Sequence, residues 1–109
     1  MNKIVIRKKE ENKKTIGYDI LESGCSDLLI SASFYFIQKD GIYLLCFEDA
    51  EKDYFRMGSK RADIEKAVFS HTVSEELAIY QAYQKAREFA KQLAQRRQYN
   101  TIEDLTEEK

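Results

Sequence analysis

Leu28-Leu29-Ile30-Ser31-Ala32-Ser33-Phe34-Tyr35-Phe36-Ile37-Gln38 runs into Lys39-Asp40-Gly41 and then into Ile42-Tyr43-Leu44-Leu45-Cys46-Phe47. The stretch 28–38 is dense in aromatic and branched side chains and reads as a strand. Leu28, Ile30, Ala32, Phe34 and Phe36 fall on one face; Leu29, Ser31, Ser33, Tyr35 and Ile37 fall on the other. Asp40-Gly41 marks a hairpin, because a two-residue type I′ turn needs positive φ at both central positions. Such a turn fixes the register. Lys39 then faces Ile42, Ile37 faces Leu44, Phe36 faces Leu45, Tyr35 faces Cys46 and Phe34 faces Phe47, so apolar groups stay together.

Upstream, residues 3–7 and 15–21 also read as strands, with Ile16, Tyr18 and Ile20 on one face. The charged run from Lys8 to Lys14 reads as a solvated connection between them. Downstream, the acidic run Glu48 to Asp53 reads as a solvated loop, and Tyr54-Phe55-Arg56-Met57 as a short fifth edge strand that Gly58 ends. Past residue 59 the period changes. Ile64, Ala67 and Val68 predict a short helix over 61–69. Thr72 with Glu75 forms a capping-box pattern that opens a second helix, which runs free of Gly and Pro to about Arg97. Ala78, Ile79, Ala82, Tyr83, Ala86, Phe89, Ala90, Leu93 and Ala94 gather on one arc of that helix, a face made mostly of alanine.

The expected fold is therefore α+β: an antiparallel four- to five-stranded β-meander followed by a short helix and a long C-terminal helix packed on one face of the sheet. The expected organisation is a single domain over 1–98 and an acidic, flexible tail over 99–109. With 109 residues, 43% of them hydrophobic, the chain can build one core. Charged residues at 34% and a mean hydropathy of -0.59 speak against a membrane span. The start Met1-Asn2-Lys3-Ile4-Val5-Ile6-Arg7 lacks a signal-peptide core, and the two cysteines, Cys25 and Cys46, lie in unlike contexts, so the expected location is the cytoplasm.

A net charge of -1 predicts no general pull toward nucleic acid or anionic lipid, although basic residues concentrate in 1–14 and 85–97 and acidic ones in 15–55. His71 with Cys25 or Ser26 is the one nucleophile-base pairing the sequence offers, and neither partner stands in a nucleophile motif. No short Cys or His pairing suggests zinc, the acidic run lacks calcium-loop spacing, and Gly17, Gly24, Gly41 and Gly58 cannot make a phosphate loop. The expectation is no catalysis, no metal and no cofactor.

Two classes of function remain. The first is a non-enzymatic protein-protein interaction domain, for instance a small phage- or mobile-element-type regulator or inhibitor of a host enzyme, with a protein partner or a second copy as its target. Its candidate contact residues are Tyr35, Ile37 and Leu44 on the second face of the sheet, with Tyr80, Arg87, Arg96 and Arg97 on the helix. The alternative is nucleic-acid binding, with Lys8, Lys9, Lys13 and Lys14 on phosphates, Tyr18 as a stacking platform, and Arg56, Lys60 and Arg61 extending the surface.

Overall fold

The Asp40-Gly41 turn, with φ of 52° and 79°, joins β3 (Leu28–Lys39) to β4 (Ile42–Asp49). Lys39 pairs with Ile42, Ile37 with Leu44, Phe36 with Leu45, Tyr35 with Cys46 and Phe34 with Phe47, the register required by the turn and the apolar pairs. The computed structural model describes residues 2–23, 28–49 and 67–106. Around this hairpin stand β1 (Ile4–Glu11), β2 (Lys14–Ser23), β5 (Ala67–Thr72) and β6 (Ile102–Asp104), giving one six-stranded sheet in the order β5-β4-β3-β2-β1-β6. A single described helix, α1 (Glu75–Arg97), lies across one face. Among the described residues no helix is long and apolar enough to cross a membrane.

The architecture is α+β as expected, with several corrections. The sheet is mixed, because β6 runs parallel to β1 while the other pairs are antiparallel. The expected strand at 54–57 and the first part of the expected helix at 61–69 lie outside the described residues. Residues 67–69 are not helical: they open β5, where Phe47 pairs with Ala67 and Leu45 with Ser70. Three apolar positions at helical spacing are too few to override a run such as Ala67-Val68-Phe69-Ser70-His71-Thr72, which suits a pleated surface. Thr72 is not the helix cap. Ser74 is, its hydroxyl accepting from Leu77 N–H at 3.3 Å, while the Thr72 hydroxyl accepts from Ser74 N–H.

The charged run 8–14 is also mostly strand. β1 and β2 continue to a two-residue turn at Asn12 and Lys13, with φ of 53° and 64°. Two successive positive φ values define the same turn class as at Asp40-Gly41, with lysine at a position that favours glycine. Farther along, the β2–β3 register shifts so that Ser31 is an extra residue in β3: Ile20 faces Ala32, whereas Leu21 faces Ile30 and Glu22 faces Leu29. The bulge moves Ile30 off the face shared by Ala32, Phe34 and Phe36.

Those three side chains, with Ile4, Ile6, Tyr18, Ile20 and Leu45, form the core face. Ala78, Ala82, Ala86, Ala90, Leu93 and Ala94 of α1 are buried against it, and Ile79, Tyr83 and Phe89 flank them, so the whole predicted helix face is the packed one. The helix ends at Gln98 with φ 59°, where Tyr99 N–H reaches back to the Ala94 carbonyl at 2.9 Å in a Schellman-type cap.

Residues 101–106 depart from the expected flexible tail. Ile4 N–H donates to the Thr101 carbonyl and Leu105 N–H to the Ile6 carbonyl, which fixes β6 along the β1 edge. The Asp104 carboxylate accepts from Tyr83 Oη, from the Thr106 hydroxyl and from Thr106 N–H, with Arg87 Nη1 at 3.8 Å. Burial works to raise the Asp104 pKa, but these hydrogen bonds and the Arg87 charge together hold it below 3.8.

Three outcomes are expected. A Cβ at Gly17 would stand 2.2 Å from the Phe34 carbonyl oxygen and 2.4 Å from Tyr35 Cα, both backbone atoms. Gly17→Ala therefore overpacks the β2–β3 pair and lowers stability by about 1–3 kcal/mol, read from the urea midpoint. Lys13→Gly relieves the left-handed strain and raises that midpoint, by about 0.5–1 kcal/mol. Because folding depresses the Asp104 pKa, its contribution is present at neutral pH and is lost as pH falls through 3.8 and then through the lower folded value. Asp104→Asn is expected to cost about 1 kcal/mol at pH 7. Its deficit relative to the unsubstituted chain should shrink below pH 3.8 in pH-resolved melts.

Candidate functional site

Where β4 and β5 meet the flank of α1, four phenylalanines from three strands and the helix form the floor of an open cleft of about 610 Å³. Phe34 is central. Its ring centroid lies 4.8 Å from Phe47, 5.7 Å from Phe89 and 6.1 Å from Phe69, and Phe47 and Phe89 are 5.7 Å apart. The tilted and edge-on arrangements suit the ring quadrupoles, and they leave Phe69 37% exposed on the outermost strand. Phe69 occupies this position because it is itself a bulge: the β4–β5 register shifts between Leu45–Ser70 and Cys46–Val68.

The rim of the cleft is polar. Ser70 Oγ donates to Gln81 Oε1 at 3.4 Å, Lys85 and Glu88 are paired at 3.6 Å, and the Gln84 amide donates to Tyr80 Oη at 2.8 Å. The last bond links the cleft to the outward side of α1, where Tyr80 is 55% and Leu77 51% exposed. An apolar floor, a rim of hydroxyl and amide groups, and aromatic side chains beside it can take up an apolar side chain and hydrogen-bond the backbone that carries it.

The opposite face of the sheet carries a buried polar group. The Asp19 carboxylate accepts from Ser33 Oγ at 2.6 Å, with Arg7 at 3.5 Å and Lys9 at 3.9 Å. Lys9 also lies 5.5 Å above the Tyr35 ring, whose hydroxyl donates to Glu48 at 2.7 Å. Burial, then the bond to Glu48, pushes the Tyr35 phenol well above its usual pKa. The carboxylate is compensated from three sides and the phenol is engaged, so this cluster ties β1, β2, β3 and β4 together.

The structure does not assemble the predicted partner-binding residues on one surface. Tyr35 is 5% exposed and is not an open contact residue. Ile37 and Leu44 are cross-strand neighbours, half-buried to exposed, on the Tyr35 face. Tyr80 is on the helix, beside the cleft. Arg87 and Arg97 hold the chain to itself, through Asp104 and through Glu22 at 2.7 Å, whereas Arg96 is exposed in the last turn of α1. The nucleic-acid set disperses further. Tyr18 is buried under α1, 5.2 Å from Tyr83, and so offers no stacking platform. Lys8 shares the face of Tyr18 while Lys9 lies on the other; Lys14 pairs with Glu75 at 2.7 Å, and Lys13 sits in the turn. Arg56, Lys60 and Arg61 lie outside the described residues, as do Cys25 and Ser26, the considered partners of His71. His71 itself is exposed on β5, opposite Leu44.

Phe69 and Phe89 are what sequence reasoning missed as site residues. Phe89 was placed in the packed face of the helix, which is where it is, and its second role at the cleft wall depends on β5. The signal for β5 was the β-branched and aromatic run 67–72. Comparison with protein-family models, with curated proteins and with solved structures gives no match.

Proposed function

We propose that this chain is a non-enzymatic domain that acts by binding a protein partner, and that the aromatic cleft between β5 and α1 is where it does so. The observation that carries the reading is Phe69, an aromatic ring left more than one-third exposed on an outermost strand beside Phe34, Phe47 and Phe89. The occupant the chemistry fits is an aromatic or branched aliphatic side chain of a partner segment, inserted against the rings while its backbone meets Ser70, Gln81 and Gln84 at the rim. A domain of this size that covers another protein's surface suits regulation or inhibition, the form in which a phage- or mobile-element-type factor acts on a host enzyme.

Selection of displayed peptides on the immobilised full chain, followed by NMR shift mapping, tests this reading. Selected peptides should share an apolar anchor and perturb Phe69, Ser70 and Gln81. Phe69→Ala should weaken their binding about tenfold or more while the melting temperature changes little, because the ring is already part-exposed. Shifts confined to the opposite sheet face, or a lysate partner that disappears on nuclease treatment, would overturn the proposal in favour of another surface or of nucleic acid.

A further inference from the structure

The outer edge of β1 is only partly used. Ile4 N–H donates to Thr101 and the Ile6 carbonyl accepts from Leu105, so the even-numbered residues of β1 turn their backbone groups toward β6. β6 pairs with Ile4, Val5 and Ile6 alone. The same alternation places the N–H and C=O groups of Lys8 and Glu10 on that edge, where among the described residues no strand pairs with them. The open stretch reads Arg7-Lys8-Lys9-Glu10-Glu11, cationic in its first part and anionic in its second.

That order matters for self-pairing. When two copies meet antiparallel across a two-fold axis, only residues whose backbone groups face the edge can exchange hydrogen bonds, so the centre must fall on Lys8, Lys9 or Glu10. Centring on Lys8 sets Arg7 against Lys9 and requires Ile6, which β6 already occupies. Centring on Glu10 sets one glutamate against its copy and runs Lys8 into the Asn12 turn. Centring on Lys9 sets Lys8 against Glu10 and Arg7 against Glu11, twice over by symmetry, with opposite charges directly across at each pair. The two central lysines lean away from the seam, each over its own Tyr35 and near its own Asp19.

We propose that a second copy of this chain pairs antiparallel with residues 7–11 of β1, centred on Lys9, joining the two sheets edge to edge. The contact is short and charge-dependent, so the dimer forms at high concentration and dissociates as salt rises. It lies at the edge of the sheet opposite the aromatic cleft, so it leaves the cleft open in both copies.

Sedimentation velocity on the full chain tests the pairing. The weight-average mass should rise from 12.8 kDa toward twice that value as concentration approaches about 1 mM at low salt, and fall back at high salt. Lys8→Glu and Glu10→Lys should each weaken self-association about tenfold or more, because each puts like charges opposite one another. An equimolar mixture of the two should recover dimerisation, since every cross-strand pair is again of opposite sign. Glu11→Lys, nearer the hairpin tip, is a second probe and should weaken the dimer while leaving the melting temperature in place. A chain that stays monomeric to about 1 mM, single reversals that associate like the unsubstituted chain, or a mixture that remains monomeric would each overturn the proposal.

Discussion

The contact between a stripe of alanines and a nearly flat apolar sheet face is what the rest of the molecule depends on. Ala78, Ala82, Ala86 and Ala90 recur every fourth residue and have no exposed surface, so the backbone of α1 lies close to Ile4, Ile6, Ile20, Ala32 and Leu45. Small side chains contribute little area each, and close approach compensates by excluding water along the whole helix. Large side chains then belong on the flanks, where the separation between helix and sheet opens. Phe89 on one flank and Tyr83 on the other occupy those places, and each becomes the anchor of a local arrangement: the aromatic cleft beside Phe89, the Asp104 cluster beside Tyr83.

The same closeness lets charged side chains of α1 reach the sheet margins. Glu75 at the first turn meets Lys14, Arg87 midway meets Asp104, and Arg97 in the last turn meets Glu22. Each pair joins the helix to a different strand. Singly, such pairs at partly exposed positions contribute little. Their consequence is positional: with the alanine stripe setting the height of the helix, they fix its rotation and its slide along the sheet. The acidic first turn and basic last turn also complement the helix dipole, so each of Glu75 and Arg97 serves the helix and its partner strand at once.

The β3–β4 hairpin and the packed face of α1 were legible in the sequence because each rests on many residues that agree. Turn chemistry and cross-strand pairing fixed the first independently, and nine positions at one period fixed the second. What was not legible depends on partners distant in sequence. Ile102-Glu103-Asp104 has no strand character of its own; it is a strand because the edge of β1 offers it hydrogen bonds and because Tyr83 and Arg87 hold Asp104. Ala67-Val68-Phe69 satisfies helix and strand periods equally over so short a length, and β4 decides the matter. The Ser31 bulge is invisible to alternation because alternation assumes that no residue is extra.

The candidate site was less legible than the fold for a related reason. Residue type announces that an arginine or a tyrosine can bind something, not whether the chain already supplies the partner. Arg87, Arg97 and Tyr35 carry the chemistry of contact residues, and Asp104, Glu22 and Glu48 consume it internally. Phe69, by contrast, looks in sequence like one more core residue, and only the bulge at the edge strand brings it to the surface. The two margins of the sheet consequently differ in kind. One ends in β5, six residues without a charge, beside the aromatic rings; the other carries a run of lysines and glutamates on β1 beyond the reach of β6. An apolar margin recognises by shape and burial and tolerates salt, whereas a charged one recognises by order and sign and does not. Two interactions with opposite salt dependence can therefore coexist on one small sheet without competing for the same surface.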